Sequence, residues 1–295
     1  MPGKVRTFAE LVKFEHTIFA LPFAYLGTFL ASRGWPSPRV LLWVTVAMVG
    51  ARTAAMALNR LIDARIDALN PRTAGRHLPS GKLRPGEVLA LAVGSLAVLG
   101  VAAWQLNPLA LKLFPLAVLT LVVYSYTKRF TWLCHLVLGI ADGWAPFGGW
   151  VAVTGSTHPV AYLLWAIVAL WVGAFDILYA TQDLEFDRRH GIHSIPARFG
   201  LAPALRIARA AHRVVVGLVL WAGYLAGLVG PDPAAWGLKG WLYMAGWAVM
   251  AALLHYEHSI ISPTDLSRLD AAFFNVNGYI SVSYFVFTAA AVVAA

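Results

Sequence analysis

Charged residues are scarce in this chain of 295 residues, of which only 13% are Asp, Glu, Lys or Arg. Soluble domains usually carry about 25% charged residues. Hydrophobic residues make up 59% of the chain, and the mean hydropathy is +0.67. A soluble protein of this composition could not cover its surface with polar groups, so the composition indicates a helical membrane protein. Cysteine is almost absent too, and the single Cys134 excludes an intrachain disulfide.

Apolar stretches long enough to cross about 30 Å of hydrocarbon recur along the chain. Turn-forming residues separate them, as in Asn107-Pro and Gly230-Pro-Asp-Pro. We predict an all-α, polytopic integral-membrane protein, with one domain over residues 1–295 and about nine transmembrane helices. The predicted spans are 15–32, 40–62, 87–105, 108–126, 132–153, 159–180, 211–229, 238–256 and 271–294.

Basic residues are distributed unevenly between the two predicted sides of the membrane. Most of the 23 Lys and Arg residues lie in the N-terminus, in the loops that follow even-numbered spans, or at the adjoining helix ends. Cytoplasmic loops carry such an excess, so we expect the N-terminus and these loops to face the cytoplasm across the inner membrane. This topology accounts for the net charge of +9, with some attraction to membrane lipid, and no nucleic-acid partner is expected.

The fourteen acidic residues are few, and several of them form two motifs at the predicted cytoplasmic ends of spans. Residues four apart on a helix share a face, so the side chains of each motif can point at one place. Like charges at this spacing repel unless a cation lies between them, and ionisable groups at membrane depth are candidate functional sites. The motifs are Asn59, Asp63 and Asp67 on the second span, and Asp176, Asp183 and Asp187 on the sixth.

The ligands that these motifs offer are oxygen atoms, without cysteine or histidine at ligand spacing. Such a set suits Mg²⁺, which takes one or two carboxylates and keeps other positions for water and phosphate. Basic side chains that can bind phosphate oxygens follow the first motif at Arg72 and Arg76 and end the fourth span at Lys128. The alternative is that the aspartates only neutralise neighbouring arginines at helix ends.

Four sequence motifs resemble those of the UbiA superfamily of intramembrane prenyltransferases, in the right order and over nearly the whole chain. The matching segments are Asn59–Asp67 (NxxxDxxxD), 72–81 (RTAGRHLPSG, with His77 in place of the usual Pro), Tyr124–Lys128 (YxxxK) and Asp176–Asp187. The N-terminal segment 13–24 and the Asn59-Arg60 pair are similar to the 4-hydroxybenzoate polyprenyltransferase-like branch. That branch includes naphthoate prenyltransferases of the futalosine route to menaquinone.

The resemblance implies a central cavity in which the acidic motifs bind Mg²⁺ and the diphosphate of a polyprenyl diphosphate. Asp63, Asp67, Asp183 and Asp187 would be the metal ligands, with Asn59 and Asp176 beside them. Arg72, Arg76, Tyr124 and Lys128 would hold the diphosphate, and these acids with Lys128 would form the catalytic set. The implied reaction is ionisation of the allylic diphosphate followed by electrophilic substitution on an aromatic ring, as in ubiquinone and menaquinone biosynthesis.

Arg52 indicates the acceptor. It precedes Asn59 by seven residues and Asp63 by eleven, so all three lie within about 20° of one face of the helix. A cation this deep in the membrane either binds the carboxylate of an aromatic hydroxy acid or pairs with Asp142 on the fifth span. The acid can be of the 4-hydroxybenzoate or the 1,4-dihydroxy-6-naphthoate type, because both carry a phenol and a carboxylate. Asp142 could also assist deprotonation of the phenol.

Other functions remain open at this point. Glu15 and His16, at the start of the first span, are interpreted as interfacial residues, with contact to the acceptor as the alternative. Another branch of the superfamily would make haem O, chlorophyll or ether lipids. A non-catalytic transporter or lipid-binding protein would need broken helices at the midplane, whereas the polar motifs here lie at helix ends.

The topology can be tested by cysteine labelling in a background without Cys134. A cysteine at Ser80 should react with a membrane-impermeant maleimide only from the cytoplasmic side, because Ser80 lies in a basic loop. A cysteine at Asp232 should react only from the outside. The reverse pattern would contradict the orientation, and with it the cytoplasmic position of both acidic motifs.

Overall fold

The computed structural model describes residues 7, 8, 10, 11 and 15–294, with side chains from residue 21 onward in the first long helix. The side chains of Glu15 and His16 therefore lie outside the described residues, as does part of the predicted first span. Twelve α-helices are labelled here in chain order. They are α1 (Glu15–Ser32), α2 (Pro38–Leu69), α3 (Pro85–Leu106), α4 (Pro108–Thr127), α5 (Cys134–Asp142), α6 (Trp144–Thr154), α7 (Pro159–Ala180), α8 (Leu184–His190), α9 (Ile195–Phe199), α10 (Leu201–Leu225), α11 (Gly237–Ser259) and α12 (Asn277–Val293).

Helix ends follow local sequence signals. α2, α3, α4 and α7 each begin with proline at the first helical position, where the missing N–H removes no hydrogen bond. Ser37 and Asn107 cap α2 and α4 by accepting hydrogen bonds from the backbone N–H groups of Val40 and Ala110. α6 ends at Gly155, whose φ of +60° is the left-handed conformation that glycine adopts easily.

Seven helical segments of the described chain are long and apolar enough to cross a membrane. They confirm the prediction of a polytopic all-α membrane protein, although the exact count of nine stays a prediction. The predicted seventh span lies in α10, which is not among these segments. Its first half is too polar, because it contains Arg206, Arg209, His212 and Arg213. The seven segments are Pro38–Leu69, Pro85–Leu106, Pro108–Thr127, Cys134–Thr154, Pro159–His190, Gly237–Ser259 and Ala271–Val293.

Three predicted spans differ in detail from the structure. The fifth is broken at Gly143, where the indole of Trp165 packs so closely that a Cβ atom would lie 1.8 Å from its Cδ1. The sixth matches α7 in its bounds, but a 3₁₀ turn, Thr181–Asp183, follows it, so Asp183 and Asp187 do not share one regular helix as predicted. The ninth begins with a π-helical turn, Ala271–Val276, before α12.

The helices form a ring. Contacts run from α1 through α2, α3, α4, α5, α7, α10, α11 and α12, and α12 packs against α1 to close it. Large apolar side chains such as Leu89, Trp104 and Val286 are exposed on the outside, whereas Asp63 and Asp67 are buried. This distribution is inverted relative to a soluble protein, and it suits a bundle that faces lipid outside and encloses a polar site.

Close helix crossings depend on glycine, as is usual where backbones must approach within a membrane. α6 crosses α1 at two such places. A Cβ atom on Gly149 would lie 2.1 Å from the carbonyl oxygen of Ala24, and one on Gly27 would lie 1.9 Å from that of Pro146. Both clashes involve backbone, which cannot rotate away.

Alanine substitution should separate this packing role from helix propensity. Gly149→Ala should lower the free energy of unfolding by about 1–3 kcal/mol, because α1 and α6 must move apart. The neighbouring Gly148→Ala is the control, since nothing lies within 4 Å of its Cβ position, and its stability should be unchanged or slightly higher. Thermal unfolding in detergent would measure both, and equal stability of the two variants would contradict the packing argument.

Candidate active site

A large cavity inside the ring has a volume of about 560 Å³. All of the site residues predicted from the sequence line it, although they come from four separate parts of the chain. This shared position could not be read from sequence spacing alone. The residues are Arg52, Asn59, Asp63, Asp67, Arg72, Arg76, Tyr124, Lys128, Asp176, Asp183 and Asp187.

Asp63 is the most buried acid of the first motif, with an exposed fraction of 1%. Its carboxylate accepts hydrogen bonds from Lys128 Nζ at 2.6 Å, from Arg129 Nη2 at 3.1 Å and from Asn59 Nδ2 at 2.8 Å. Asn59 also donates to Ser125 Oγ at 3.3 Å. α2 and the end of α4 are therefore joined by one charged network, which lies on the cavity wall.

Asp67 lies one turn further along α2 and is also buried. Arg76 Nη1 donates to both carboxylate oxygens, at 2.7 and 2.8 Å. Thr73 Oγ1 donates to the backbone carbonyl oxygen of Asp67 at 2.9 Å, so the loop after α2 folds back over the end of this helix. This path of the loop brings Arg76, nine residues after Asp67 in the chain, to the Asp67 carboxylate.

The same loop connects the two acidic motifs. Arg72 makes a two-pronged ion pair with Asp183 through Nε at 2.9 Å and through Nη2, and Asn70 Nδ2 donates to Asp183 at 2.8 Å. Arg72 Nη1 also donates to Tyr179 Oη at 3.1 Å. Desolvation lowers the pKa of Arg72, but the hydrogen bond and charge of Asp183, with Tyr179, outweigh it and raise the pKa above its usual value. Arg72 is therefore a permanent cation.

The other two acids of the second motif have neutral or histidine neighbours. Asp187 accepts a hydrogen bond from Ser194 Oγ at 2.8 Å and is buried. Asp176 Oδ2 lies 2.7 Å from His135 Nδ1. The backbone N–H of Ile195 donates to His135 Nε2 at 3.2 Å, so Nδ1 carries the ring proton and donates it to Asp176.

Sequence reasoning missed several of these neighbours. Asn70, Arg129, His135 and Ser194 were not predicted as site residues, because their contacts cross between helices or loops. Asn70 and Arg129 had a usable signal, since each lies next to a motif that was recognised. His135 and Ser194 had no such signal, because neither belongs to a recognised motif and only the folded chain brings them to the acids.

The rest of the cavity wall is apolar and rich in aromatic rings. Phe273 stacks on Tyr179 with a centroid distance of 4.2 Å, and Phe175 meets Phe273 edge-on at 5.2 Å. Trp171 meets Phe175 at 5.1 Å. The sequence did not indicate which of its aromatic residues face the cavity. The aromatic lining residues are Phe23, Phe114, Tyr124, Trp144, Phe147, Trp171, Phe175, Tyr179, Phe186, Phe273 and Phe274.

Arg52 and Asp142 both line the cavity. Arg52 lies on α2 before the acidic motif, and Asp142 lies at the end of α5. The charge of Arg52 acts on Asp142, but the two form no ion pair in the part of the chain that the structure describes. Arg52 Nε is buried and has no hydrogen-bond partner among the described residues. The predicted alternative, in which Arg52 is satisfied by Asp142, is therefore not found.

The arrangement combines two chemical environments in one space. Carboxylate oxygens that suit a hard divalent cation lie among arginine and lysine donors that suit phosphate oxygens. The remaining wall is apolar and can enclose a hydrocarbon chain while excluding water. Such a site can bind an amphiphile that carries a diphosphate at one end.

Comparison with known proteins agrees with the resemblance found in the sequence. Residues 20–279 match the UbiA prenyltransferase family. A 4-hydroxybenzoate octaprenyltransferase of Vibrio campbellii is 30% identical over 292 residues, which cover 95% of each chain. A structure of a UbiA homolog from Aeropyrum pernix K1 has a TM-score of 0.82 and 34% identity, covering 92% of this chain and 96% of that one.

A more distant structure shares the fold. The UbiA homolog from Archaeoglobus fulgidus bound to DMAPP and Mg²⁺ has a TM-score of 0.74 and 17% identity, and it covers 98% of this chain and 99% of that one. The match to the family pattern extends over most of the chain and includes both acidic motifs. This chain therefore belongs to the UbiA prenyltransferase family.

Proposed function

We propose that this protein transfers a polyprenyl group from a polyprenyl diphosphate to the ring of an aromatic hydroxy acid. The observation that carries the proposal is the single cavity, where both acidic motifs and three predicted phosphate-binding cations meet an apolar, aromatic wall. The 4-hydroxybenzoate octaprenyltransferase named above supports the acceptor class, and the relative bound to DMAPP and Mg²⁺ supports the donor class. The cavity would open on the cytoplasmic side of the inner membrane.

The donor set fits Mg²⁺. Asp63, Asp67, Asp183 and Asp187 offer only oxygen atoms, with Asn59 and Asp176 close by, and these six residues would hold the metal. The bound metal supplies charge neutralisation for the departing diphosphate. Three of the four carboxylates are balanced within the protein by lysine or arginine. With their carboxylate partners engaged by the metal, those lysine and arginine side chains would be free to turn toward the diphosphate.

The cations then have a defined role in the reaction. Arg72, Arg76 and Lys128 hold the diphosphate oxygens, together with Tyr124, and stabilise the negative charge that grows on them as the allylic C–O bond breaks. The electron pair of that bond leaves with the diphosphate, and an allylic carbocation remains. Tyr179 and Phe273 line the cavity beside the charged end, and aromatic rings so placed can stabilise the cation until it reacts.

The acceptor attacks the carbocation through a ring carbon, which forms the new C–C bond and then loses its proton to restore aromaticity. Exclusion of water by the apolar wall prevents hydrolysis of the carbocation. We assign Arg52 to the acceptor carboxylate, because its buried Nε has no hydrogen-bond partner among the described residues. Asp142 lines the same cavity and would assist deprotonation of the phenol. A hydroxybenzoate and a dihydroxynaphthoate both meet these requirements.

Metal dependence is the first test of this proposal. EDTA should abolish the release of pyrophosphate, and Mg²⁺ should restore it. Asp63→Asn and Asp183→Asn should each lower kcat roughly 100-fold or more, since each removes a metal ligand whose charge no neighbour can replace. Glu185→Gln is the matched control, because Glu185 lies between Asp183 and Asp187 but is exposed and outside the cavity. Its activity should equal that of the wild type.

Folding of these variants should be checked by size-exclusion chromatography and thermal unfolding in detergent. A well-folded Asp63→Asn or Asp183→Asn protein with full activity would refute the two-motif site. A wild type that binds prenyl diphosphate but never releases pyrophosphate, with any phenolic acid, would instead indicate a binding or transport protein.

The acceptor class is tested at Arg52. Arg52→Ala should raise the acceptor KM by about 10- to 150-fold, the equivalent of about 1.5–3 kcal/mol for a hydrogen bond to a charged group. The KM for the prenyl diphosphate should stay nearly unchanged. Arg52→Lys should recover only part of the loss, because an ammonium group cannot reproduce the planar grip of guanidinium.

Controls for Arg52 come from its own helix and from its acidic neighbour. Arg39→Ala should have no effect on either KM, because Arg39 donates to Gln105 at the other end of α2. Asp142→Asn should lower kcat while the preference for acids over their decarboxylated analogues survives. If Arg52→Ala keeps that preference, the assignment of Arg52 to the substrate carboxylate is wrong.

A further inference from the structure

A second group of ionisable side chains lies apart from the acidic motifs, where α10, α11 and α12 meet. His212, Glu257 and His258 are all buried, and Glu257 has an exposed fraction of 0%. His212 Nδ1 lies 2.9 Å from His258 Nε2 and 3.3 Å from Glu257 Oε2. One potential ligand atom from each residue thus lies within 4.8 Å of the other two. The prenyl-transfer reaction uses none of these groups.

The surroundings of His212 define its protonation. Its Nε2 lies 3.2 Å from the backbone carbonyl oxygen of Trp171, which can only accept a hydrogen bond, so Nε2 carries a proton. Nδ1 is then the ring nitrogen that is left to face the other two residues. His258 Nε2 and Glu257 Oε2 both lie beside this nitrogen, so a cation shared by the three residues would lie between them.

The two carboxylate oxygens of Glu257 also have different surroundings. Asn277 Nδ2 donates a hydrogen bond to Glu257 Oε1 at 2.8 Å, whereas Oε2 is buried and has no hydrogen-bond partner among the described residues. A buried carboxylate is strongly unfavourable unless a positive charge compensates it. The oxygen that lacks a partner is the one that lies 3.3 Å from His212 Nδ1, and a cation between two such electron-rich atoms would stabilise both of them.

We propose that His212 Nδ1, His258 Nε2 and Glu257 Oε2 bind a divalent transition-metal ion, for which Zn²⁺ is the best fit. Two imidazole nitrogens and one carboxylate oxygen are ligands that Zn²⁺ accepts and Mg²⁺ does not favour. With metal–ligand distances of about 2.0–2.1 Å, ligands on a tetrahedron lie about 3.3 Å apart. The separations of 2.9 and 3.3 Å are close to this value.

Two supporting hydrogen bonds are typical of metal sites. A histidine that binds a metal usually donates its other ring N–H to a backbone carbonyl or a carboxylate, and a carboxylate ligand is usually hydrogen-bonded in turn. His212 donates to Trp171, and Glu257 accepts from Asn277. Both ligands are thus held in orientation by residues outside the cluster.

The site would position part of the cavity wall. Asn277 Nδ2 also donates to the carbonyl oxygens of Ala272 and Phe273 in the π-helical turn, at 3.1 and 3.2 Å. Phe273 stacks on Tyr179, which accepts a hydrogen bond from Arg72. A metal that fixes Glu257 therefore fixes Asn277 and the aromatic face next to the diphosphate end. π-helical turns often occur at functional sites.

The test measures bound metal directly. Tag-free protein in detergent is loaded with Zn²⁺, passed through a metal-free desalting column and analysed by inductively coupled plasma mass spectrometry. The wild type should retain about one Zn²⁺ per chain, and Glu257→Gln and His258→Gln should retain less than a tenth of that amount. His255→Gln is the matched control, because His255 lies on the same helix but is exposed, and it should retain Zn²⁺ fully.

Two further measurements keep the result unambiguous. Asp183→Asn should retain Zn²⁺ like the wild type, whereas loss of Zn²⁺ in this variant would place the ion in the acidic motifs and overturn the proposal. X-ray absorption at the zinc edge should show imidazole nitrogen and oxygen ligands at about 2.0–2.1 Å without sulfur. A wild type that retains no Zn²⁺, or variants that retain as much as the wild type, would show that a proton joins these residues instead of a metal.

Discussion

Burial of carboxylates inside a lipid-facing bundle requires an opposite charge or a hydrogen-bond donor for each of them, and this requirement organises the site. Asp63 and Asp67 have exposed fractions of 1% and 4%, so neither can be solvated by water. Lys128 and Arg129 from the end of α4 compensate Asp63, and Arg76 from a loop compensates Asp67. The cations that compensate these carboxylates are the groups that we propose for diphosphate binding, so one set of side chains would serve both stability and substrate binding.

The loop after α2 brings the two acidic motifs into one site. It begins at Asn70, supplies Arg72 to Asp183 and Arg76 to Asp67, and so contacts the second motif as well as the first. Without it, Asp67 and Asp183 would lose the arginines that compensate their charges. Close glycine crossings, such as that of Gly149 with the backbone of Ala24, hold α6 against α1 within the bundle that carries this loop.

Charged and apolar side chains occupy different parts of the cavity, and this arrangement matches an amphiphilic substrate. The acidic and basic residues meet at one end, Arg52 and Asp142 lie further along α2 and α5, and aromatic rings occupy the wall near Tyr179. A diphosphate, a carbocation and an aromatic acid need different surroundings. A single apolar cavity can provide all three, because polar groups in a low-dielectric site act strongly over short distances.

The sequence alone determined the membrane class, the helical fold and the family, since these follow from hydropathy and from motifs such as Asn59–Asp67. It also predicted the charged and polar residues of the motifs as one site, because side chains four apart on a helix share a face, but not the aromatic residues of the cavity wall. The tertiary structure decided which charges pair, as with Arg72 and Asp183, and that Arg52 does not pair with Asp142. It also revealed the buried group of His212, Glu257 and His258. His212 is distant in the chain from Glu257 and His258, as Arg72 is from Asp183, and only packing between helices and loops brings such side chains together.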